Sequence, residues 1–181
     1  MITKAQYDEA RQKALAYFAR AGIATTPAEV ERLEVADAGL GDLWRVGLVI
    51  LTYVNSERVC AKELVCLPGQ MFPEHWHPTI KGKPGKEETF RCRWGTFYLY
   101  IPGERTPNPK AAPPAERRPY LTSWHEVVLT AGDQHTLPPD TKHWFQAGAE
   151  GAVVSEFSTH SDDESDLFRD PRVKRTPVIA G

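Results

Sequence analysis

The sequence predicts a mainly β protein: a small barrel or jelly roll of short strands, preceded by N-terminal helices. Three observations predict it. Helical periodicity is confined to the first 36 residues or so. From Leu43 the texture changes to short runs rich in Val, Leu, Tyr, Phe and Trp, the residues that fit a pleated surface. Gly, Pro, Asn or Ser bound most of those runs, at the close spacing of a sandwich or barrel.

The elements follow in order. Thr3 with Gln6 reads as a capping box. Tyr7, Ala10, Ala14, Tyr17 and Ala21 recur at helical spacing, and Gly22 is a stop signal. Thr26-Pro27-Ala28-Glu29 repeats the start signal, with Pro at the first helical position; this second helix is expected to reach about Ala36. Strands are expected at Leu43–Val54, Val59–Leu67, Met71–His77, Glu87–Trp94 and Thr96–Ile101. Pro102–Pro119 holds six prolines and reads as a long surface connection. Trp124–Thr130, His135–Leu137, Lys142–Gln146 and Ala152–Thr159 complete the set. The tail from Ser161 is acidic, then basic, and reads as a solvated tail or a lid.

Composition narrows the class. A chain of 181 residues is expected to form a single domain, residues 1–181, with 43–160 as the barrel and 161–181 as the tail. A net charge of -2 gives no case for nucleic acid or an anionic membrane. No apolar run nears the roughly 20 residues that span a bilayer, and the N-terminus lacks an apolar signal core. Cys60, Cys66 and Cys92 lie in strand-like runs and read as buried reduced thiols. The expected compartment is the cytoplasm.

Two segments fit together as one metal site. The first is Gly69-Gln-Met-Phe-Pro-Glu-His75-Trp-His77, followed by Glu88 and Gly95; the second runs from Gly132 through Pro138 and Asp140 to His143. His75 and His77 are two apart, which in a strand puts both rings on one face. Glu88 and His143 complete an N₃O set that suits a divalent first-row ion. Glu87 is the competing carboxylate. Alternation excludes it, because Glu88 shares parity with Phe90, Cys92 and Trp94, and Glu87 with the charged Arg91 and Arg93. His125, His135 and His160 have no partner spacing and read as structural or surface residues, His160 being the one nearest a candidate site strand. Trp76, Trp94, Trp144 and Phe157 read mainly as core packing.

These motifs resemble those of the cupins: Gly, five residues, His-x-His, a gap, Glu, six residues, Gly; then Gly, five residues, Pro-x-Gly, two residues, His, three residues, Asn. The chain departs at Asp140, where the pattern has Gly, and at Ala147, where it has Asn. The gap between His77 and Glu88 is also longer than usual, a loop that could reach over the site. Within the cupins the chain is most similar to the D-lyxose isomerase family, through Pro-Glu-His75-Trp-His77-Pro, Lys86-Glu87-Glu88-Thr-Phe-Arg-Cys-Arg-Trp-Gly95 and Ser155-Glu156-Phe157-Ser158 before Asp162-Asp163. The resemblance implies a manganese-dependent aldose–ketose isomerase acting on D-lyxose and often D-mannose, with His75, His77, Glu88 and His143 as ligands to Mn²⁺ or another divalent first-row ion. Small cupins resemble one another in pairing, so a homodimer is expected.

Isomerisation of this kind moves a proton between adjacent carbons and needs an acid and a base that are not ligands. Lys86 is two residues before Glu88 and shares its face; a neighbouring dication is expected to depress its pKa. Glu156 interrupts a late apolar strand. These two are the catalytic candidates, with Asp163 and Asp166 as candidates for sugar hydroxyls. Three other readings stay open: a metal-dependent dioxygenase with the same ligands, a non-catalytic sugar-binding cupin, and a phosphosugar isomerase. The last would need Arg91, Arg93, Arg117 or Arg118 to turn inward.

Overall fold

The structure is a computed structural model that describes residues 1–176 and 178–180. A short strand β1 (Ile2–Thr3) leads into helix α1 (Lys4–Arg20), which opens on the expected capping box between Thr3 and Gln6. Helix α2 (Pro27–Glu31) opens on the same device at Thr26 and Glu29. It is shorter than expected, because Glu34–Ala36 is a strand, β2. Val35 is buried there and pairs with Val49; pairing to a sheet edge overrides helical propensity. The next expected strand starts late. Residues 42–46 turn, with Val46 donating back to the Asp42 carbonyl.

The remaining strands are β3 (Leu48–Asn55), β4 (Cys60–Cys66), β5 (Met71–Trp76), β6 (Glu88–Ile101), β7 (His125–Thr130), β8 (Gln134–Leu137), β9 (His143–Ser158), β10 (Leu167–Phe168) and β11 (Ile179–Ala180). The main sheet runs β10-β5-β9-β4-β3-β2, with β6 joining β9 to β7 and β8. The fold is a mainly β, cupin-type barrel of curled antiparallel strands, with helices confined mainly to the N-terminal part.

Two pairs of expected strands are single long ones. β6 spans the predicted break at Gly95, and β9 spans the break between Gln146 and Ala152. They pair along almost their whole lengths, from Glu88 opposite Ser158 to Tyr100 opposite Trp144. The ladder skips register near Gly95, where residues 148–151 of β9 bulge out. There the ribbon bends sharply. Gly95 has φ +76, and a Cβ on it would lie 2.1 Å from the Gly151 carbonyl oxygen. That contact explains the glycine in the first motif.

Two cores follow from strand alternation. Leu48, Ile50, Leu64, Cys66 and Val154 point into the barrel with Phe90, Phe97 and Phe145. Val49, Leu51, Val65 and Val153 point outward, where Ala10, Ala14, Tyr17 and Phe18 of α1 cover them. A sheet buried on both faces reads as continuous apolar sequence, and that is the texture of Leu48–Leu51. Full burial of Phe18 contributes roughly 1.5–3 kcal/mol. The three cysteines are free and buried. Burial pushes the Cys66 thiol up to about 12 and that of Cys92 to about 11. Among the described residues, no helix is long and apolar enough to cross a membrane.

Gly95→Ala is expected to destabilise the protein far more than Gly132→Ala. Both glycines have positive φ, but nothing lies within 4 Å of a Cβ at Gly132. Gly132→Ala should cost about 1–2 kcal/mol, the backbone strain alone. Gly95→Ala adds a clash with backbone. Denaturant titration of both variants checks the ranking, and equal midpoints would refute the bend.

Candidate metal centre and active site

β5 delivers His75 and continues to His77, the start of β6 delivers Glu88, and the start of β9 delivers His143. The three imidazoles each offer a ligand atom within 4.8 Å of the others, and all three are buried. His143 pairs with His75 across the β5–β9 ladder. Glu88 is 1% exposed. Its Oε1 lies 3.1 Å from His77 Nε2 and 2.9 Å from His143 Nε2. Glu87 is exposed, as alternation predicts.

Each ring is fixed through its other nitrogen. His75 Nδ1 meets the Pro73 carbonyl at 2.9 Å, His143 Nδ1 meets the Thr141 carbonyl at 2.9 Å, and His77 Nδ1 meets Asp166 Oδ1 at 2.5 Å. An oxygen on Nδ1 fixes the tautomer and leaves Nε2 free to bind an ion. His143 Nε2 and Glu88 Oε2 are buried and lack a well-directed hydrogen bond. Their short charged contacts, to Glu88 and to Lys86, leave their lone pairs poorly used; in an N₃O donor set two such atoms fit a divalent cation.

The electrostatics are those of buried charges in contact. Burial favours the neutral form of His75, and the neighbouring His143 and His77 push the same way, so its pKa lies well below the usual value. Burial also opposes charge on His77, but Glu88 and Asp166 outweigh it and raise its pKa to about 9. Burial works against the Glu88 carboxylate too; Lys86, His143 and His77 together hold it ionised far below the usual range.

Lys86 is buried. Its Nζ sits 2.7 Å from Glu88 Oε2 and 2.9 Å from Glu156 Oε1. The expected depression of the lysine pKa belongs to the site with an ion bound; without the ion, two carboxylates set the balance. Burial does favour the neutral amine, yet Glu156 and Glu88 overcome it and raise the pKa. Glu156, opposite Lys62 on β4, turns inward and is 5% exposed.

The tail forms one wall of the cleft. β10 pairs with β5, placing Phe168 beside His75 with ring centroids 5.4 Å apart. Asp166 holds His77. Asp163 accepts from Lys62 Nζ at 3.1 Å and Arg175 at 2.5 Å. Burial opposes its charge, but Arg175 and Lys62 keep its carboxyl well below the usual range. Both aspartates line one cleft with His75, His77, Lys86, Glu88 and Glu156. Its floor is apolar, with Phe72, Phe90, Phe145 and Leu64.

Lys62 and Arg175 also line this cleft, and sequence reasoning missed both. A signal existed for Lys62: it shares inward parity with Cys60, Leu64 and Cys66. Arg175 had none, since its place depends on the path of the tail. The four arginines of the phosphosugar reading are accounted for elsewhere. Arg91, Arg93 and Arg118 are exposed, and Arg117 lies 3.6 Å from Asp170. Trp144 is fully buried, whereas Phe157 is 49% exposed on the outer face. His125 and His160 are exposed and His135 half-buried.

Known proteins are similar along the whole chain. A D-lyxose/D-mannose isomerase of Thermosediminibacter oceani is 58% identical over 179 residues, 99% of each chain. A D-lyxose ketol-isomerase of Thermofilum is 59% identical over 99% of each chain. The chain belongs to the D-lyxose isomerase family. A further family member, the D-lyxose ketol-isomerase of Cohnella laeviribosi, is 55% identical over 96% of each chain. No family model matches. Among solved structures, the L-ribose isomerase of Cellulomonas parahominis superposes with a TM-score of 0.81 at 21% identity, covering 99% of this chain and 98% of that one. At that identity the likeness shows the fold.

Asp166→Asn tests the role of the outer carboxylate. It should lower affinity for a divalent ion about 10- to 100-fold while the fold is retained. Glu88→Ala should abolish stoichiometric binding and Glu87→Ala should not. Elemental analysis after dialysis reads all three, and metal retained by Glu88→Ala would remove that ligand from the set.

Proposed function

We propose that this chain is a metal-dependent aldose–ketose isomerase that converts D-lyxose to D-xylulose and D-mannose to D-fructose. The observation that carries the reading is the buried Lys86–Glu156 pair set directly against the His75, His77, Glu88 and His143 cluster. Near-full-length identity to D-lyxose isomerases supports it. An oxygenase or a passive sugar-binding module has no use for two buried, proton-carrying groups beside the ion.

His75, His77, Glu88 and His143 would hold the ion, with manganese as the proposed metal. A bound divalent cation supplies positive charge that stabilises the sugar oxygen becoming negative during proton removal. The other parts belong to the chain. Glu156, 2.9 Å from Lys86, accepts the proton from C2 of the open-chain aldose. Lys86, held charged by its two carboxylates, donates a proton to O1, giving the enediol. Lys86 then recovers the proton of the C2 hydroxyl, and Glu156 returns its proton to C1, giving the ketose. Atoms and charge balance at both steps. Asp163, tied to Lys62 and Arg175, offers acceptor positions for hydroxyls further along the sugar. Asp166 serves chiefly to orient His77. The apolar floor suits the carbon face of the sugar and excludes water from the proton path.

Two further assignments complete the reading: a single-domain cytoplasmic enzyme and a homodimer. The row of exposed Val54, half-buried Ala61 and exposed Phe157 across the outer sheet face supports the dimer.

Lys86→Ala and Glu156→Gln should keep the ion and lower kcat about 10²-fold or more. The assay is isomerisation of D-lyxose, D-mannose and L-ribose by manganese-loaded protein, run also in deuterated water. Deuterium at C1 of the product is the expected result. A hydrogen that never exchanges, combined with near-normal rates in both variants, would remove the proton-shuttle mechanism. Oxygen uptake without isomerisation would replace the whole reading with an oxygenase.

A further inference from the structure

Two of the three departures from the cupin pattern meet in space. Asp140 replaces the second-motif glycine, and the segment 78–85 is the additional length after His77. The Thr79 amide donates to Asp140 Oδ1 at 2.8 Å, and the Thr79 hydroxyl donates to Oδ2 at 2.6 Å. The Asp140 amide in turn donates to the His77 carbonyl at 3.0 Å. Asp140 has φ +64, a conformation that glycine adopts freely and other residues adopt under strain. A glycine here would relieve the backbone. What it cannot supply is the carboxylate, and both carboxylate oxygens are bonded to Thr79.

The rest of the segment is equally fastened. Ile80 and Lys83 exchange two backbone hydrogen bonds, each 3.0 Å. Between them Lys81 and Gly82 have φ of 50° and 78°, the paired positive values of a tight hairpin turn. At the exit, a Cβ on Gly85 would lie 2.0 Å from the His77 carbonyl oxygen, so the outgoing chain lies on the incoming one. The segment is a closed hairpin whose two ends are His77 and Lys86. It walls a groove that runs out from His77, Lys86 and Asp166 past Lys83 toward His160.

We propose that Asp140 is a positioning residue: through Thr79 it latches the 78–85 hairpin and thereby sets where Lys86 stands relative to His77. The two groups belong to different tasks, ion binding and proton transfer, and β5 already fixes one of them. The latch fixes the other end. Its kinetic consequence rests on the isomerase reading given above; its structural consequence does not.

The experiment uses the full-length, metal-loaded protein and three variants, Asp140→Gly, Thr79→Val and Thr79→Ser. Hydrogen exchange followed by mass spectrometry reads the hairpin directly. Asp140→Gly and Thr79→Val should exchange the peptide covering 78–86 at least about tenfold faster, with barrel peptides, melting temperature and metal content unchanged. Thr79→Ser keeps the hydroxyl and should match the wild type. In the isomerisation assay the first two variants should lose kcat by about tenfold to a hundredfold, the scale of a small misplacement of a reacting group, with a smaller change in KM. Unchanged exchange in Asp140→Gly would overturn the latch. Faster exchange with wild-type kcat would overturn the positioning role. A wild-type protein that isomerises no sugar would sink the proposed function, and the exchange result would still decide the latch.

Discussion

The site depends on the folding-over of one two-stranded ribbon. Glu88 stands at the start of β6, and His143 at the start of β9, the opposite end of the same antiparallel ladder. In a flat ribbon these residues would lie roughly 40 Å apart, at about 3.3 Å per residue. Their side chains are 2.9 Å apart. The bend at Gly95 and residues 148–151 removes that distance by carrying the ribbon from one side of the barrel to the other. The candidate metal ligands therefore converge because the barrel closes, and β5, with the residue that follows it, adds His75 and His77 by pairing with the end that carries His143.

Charge in this site is arranged for specificity more than for stability. Lys86, Glu88, Glu156, His77 and Asp166 are all nearly inaccessible to water, and each has an opposite charge or a donor in contact. Buried ion pairs recover little net free energy once desolvation is counted. Their geometry is nevertheless exacting, since removing any one partner leaves a buried charge alone. Glu74 shows a related use of a buried carboxylate. It accepts from the Thr122 amide, the Thr122 hydroxyl and the Ser123 amide, and so ties the segment leading into β7 to β5 beside His75.

Much of this was legible in the sequence, for local reasons. Two-residue periodicity put His75 and His77 on one face and separated Glu88 from Glu87. The capping boxes marked both helix starts. Other features were illegible because their causes are non-local. Nothing near Glu34 says that a β3 edge awaits it, so the second helix was read too long. Gly95 reads as a strand break until β9 is known to run beside it and bend with it. Asp163 and Asp166 look like a solvated acidic run because Lys62 and Arg175, which pair with Asp163, lie in distant segments. The same holds for the charge on Lys86, whose second carboxylate arrives from β9.

The doubled-over ribbon also has a consequence in time. Its contacts join distant parts of the chain; Ser155 and Glu63, hydrogen-bonded across β9 and β4, are 92 residues apart. Topologies dominated by such pairings fold slowly, because the entropy of closing long loops is lost before the contacts that reward it form. While the ribbon stays open, the apolar faces of β3, β4 and β9 are presented as unpaired strands, which favours self-association. The helix α1 packs on the sheet that these strands make, so it cannot shield them beforehand. The ligands come together only when the ribbon has doubled over. An ion bound there would act as a clasp on a finished barrel, slowing its reopening without hastening its first closure.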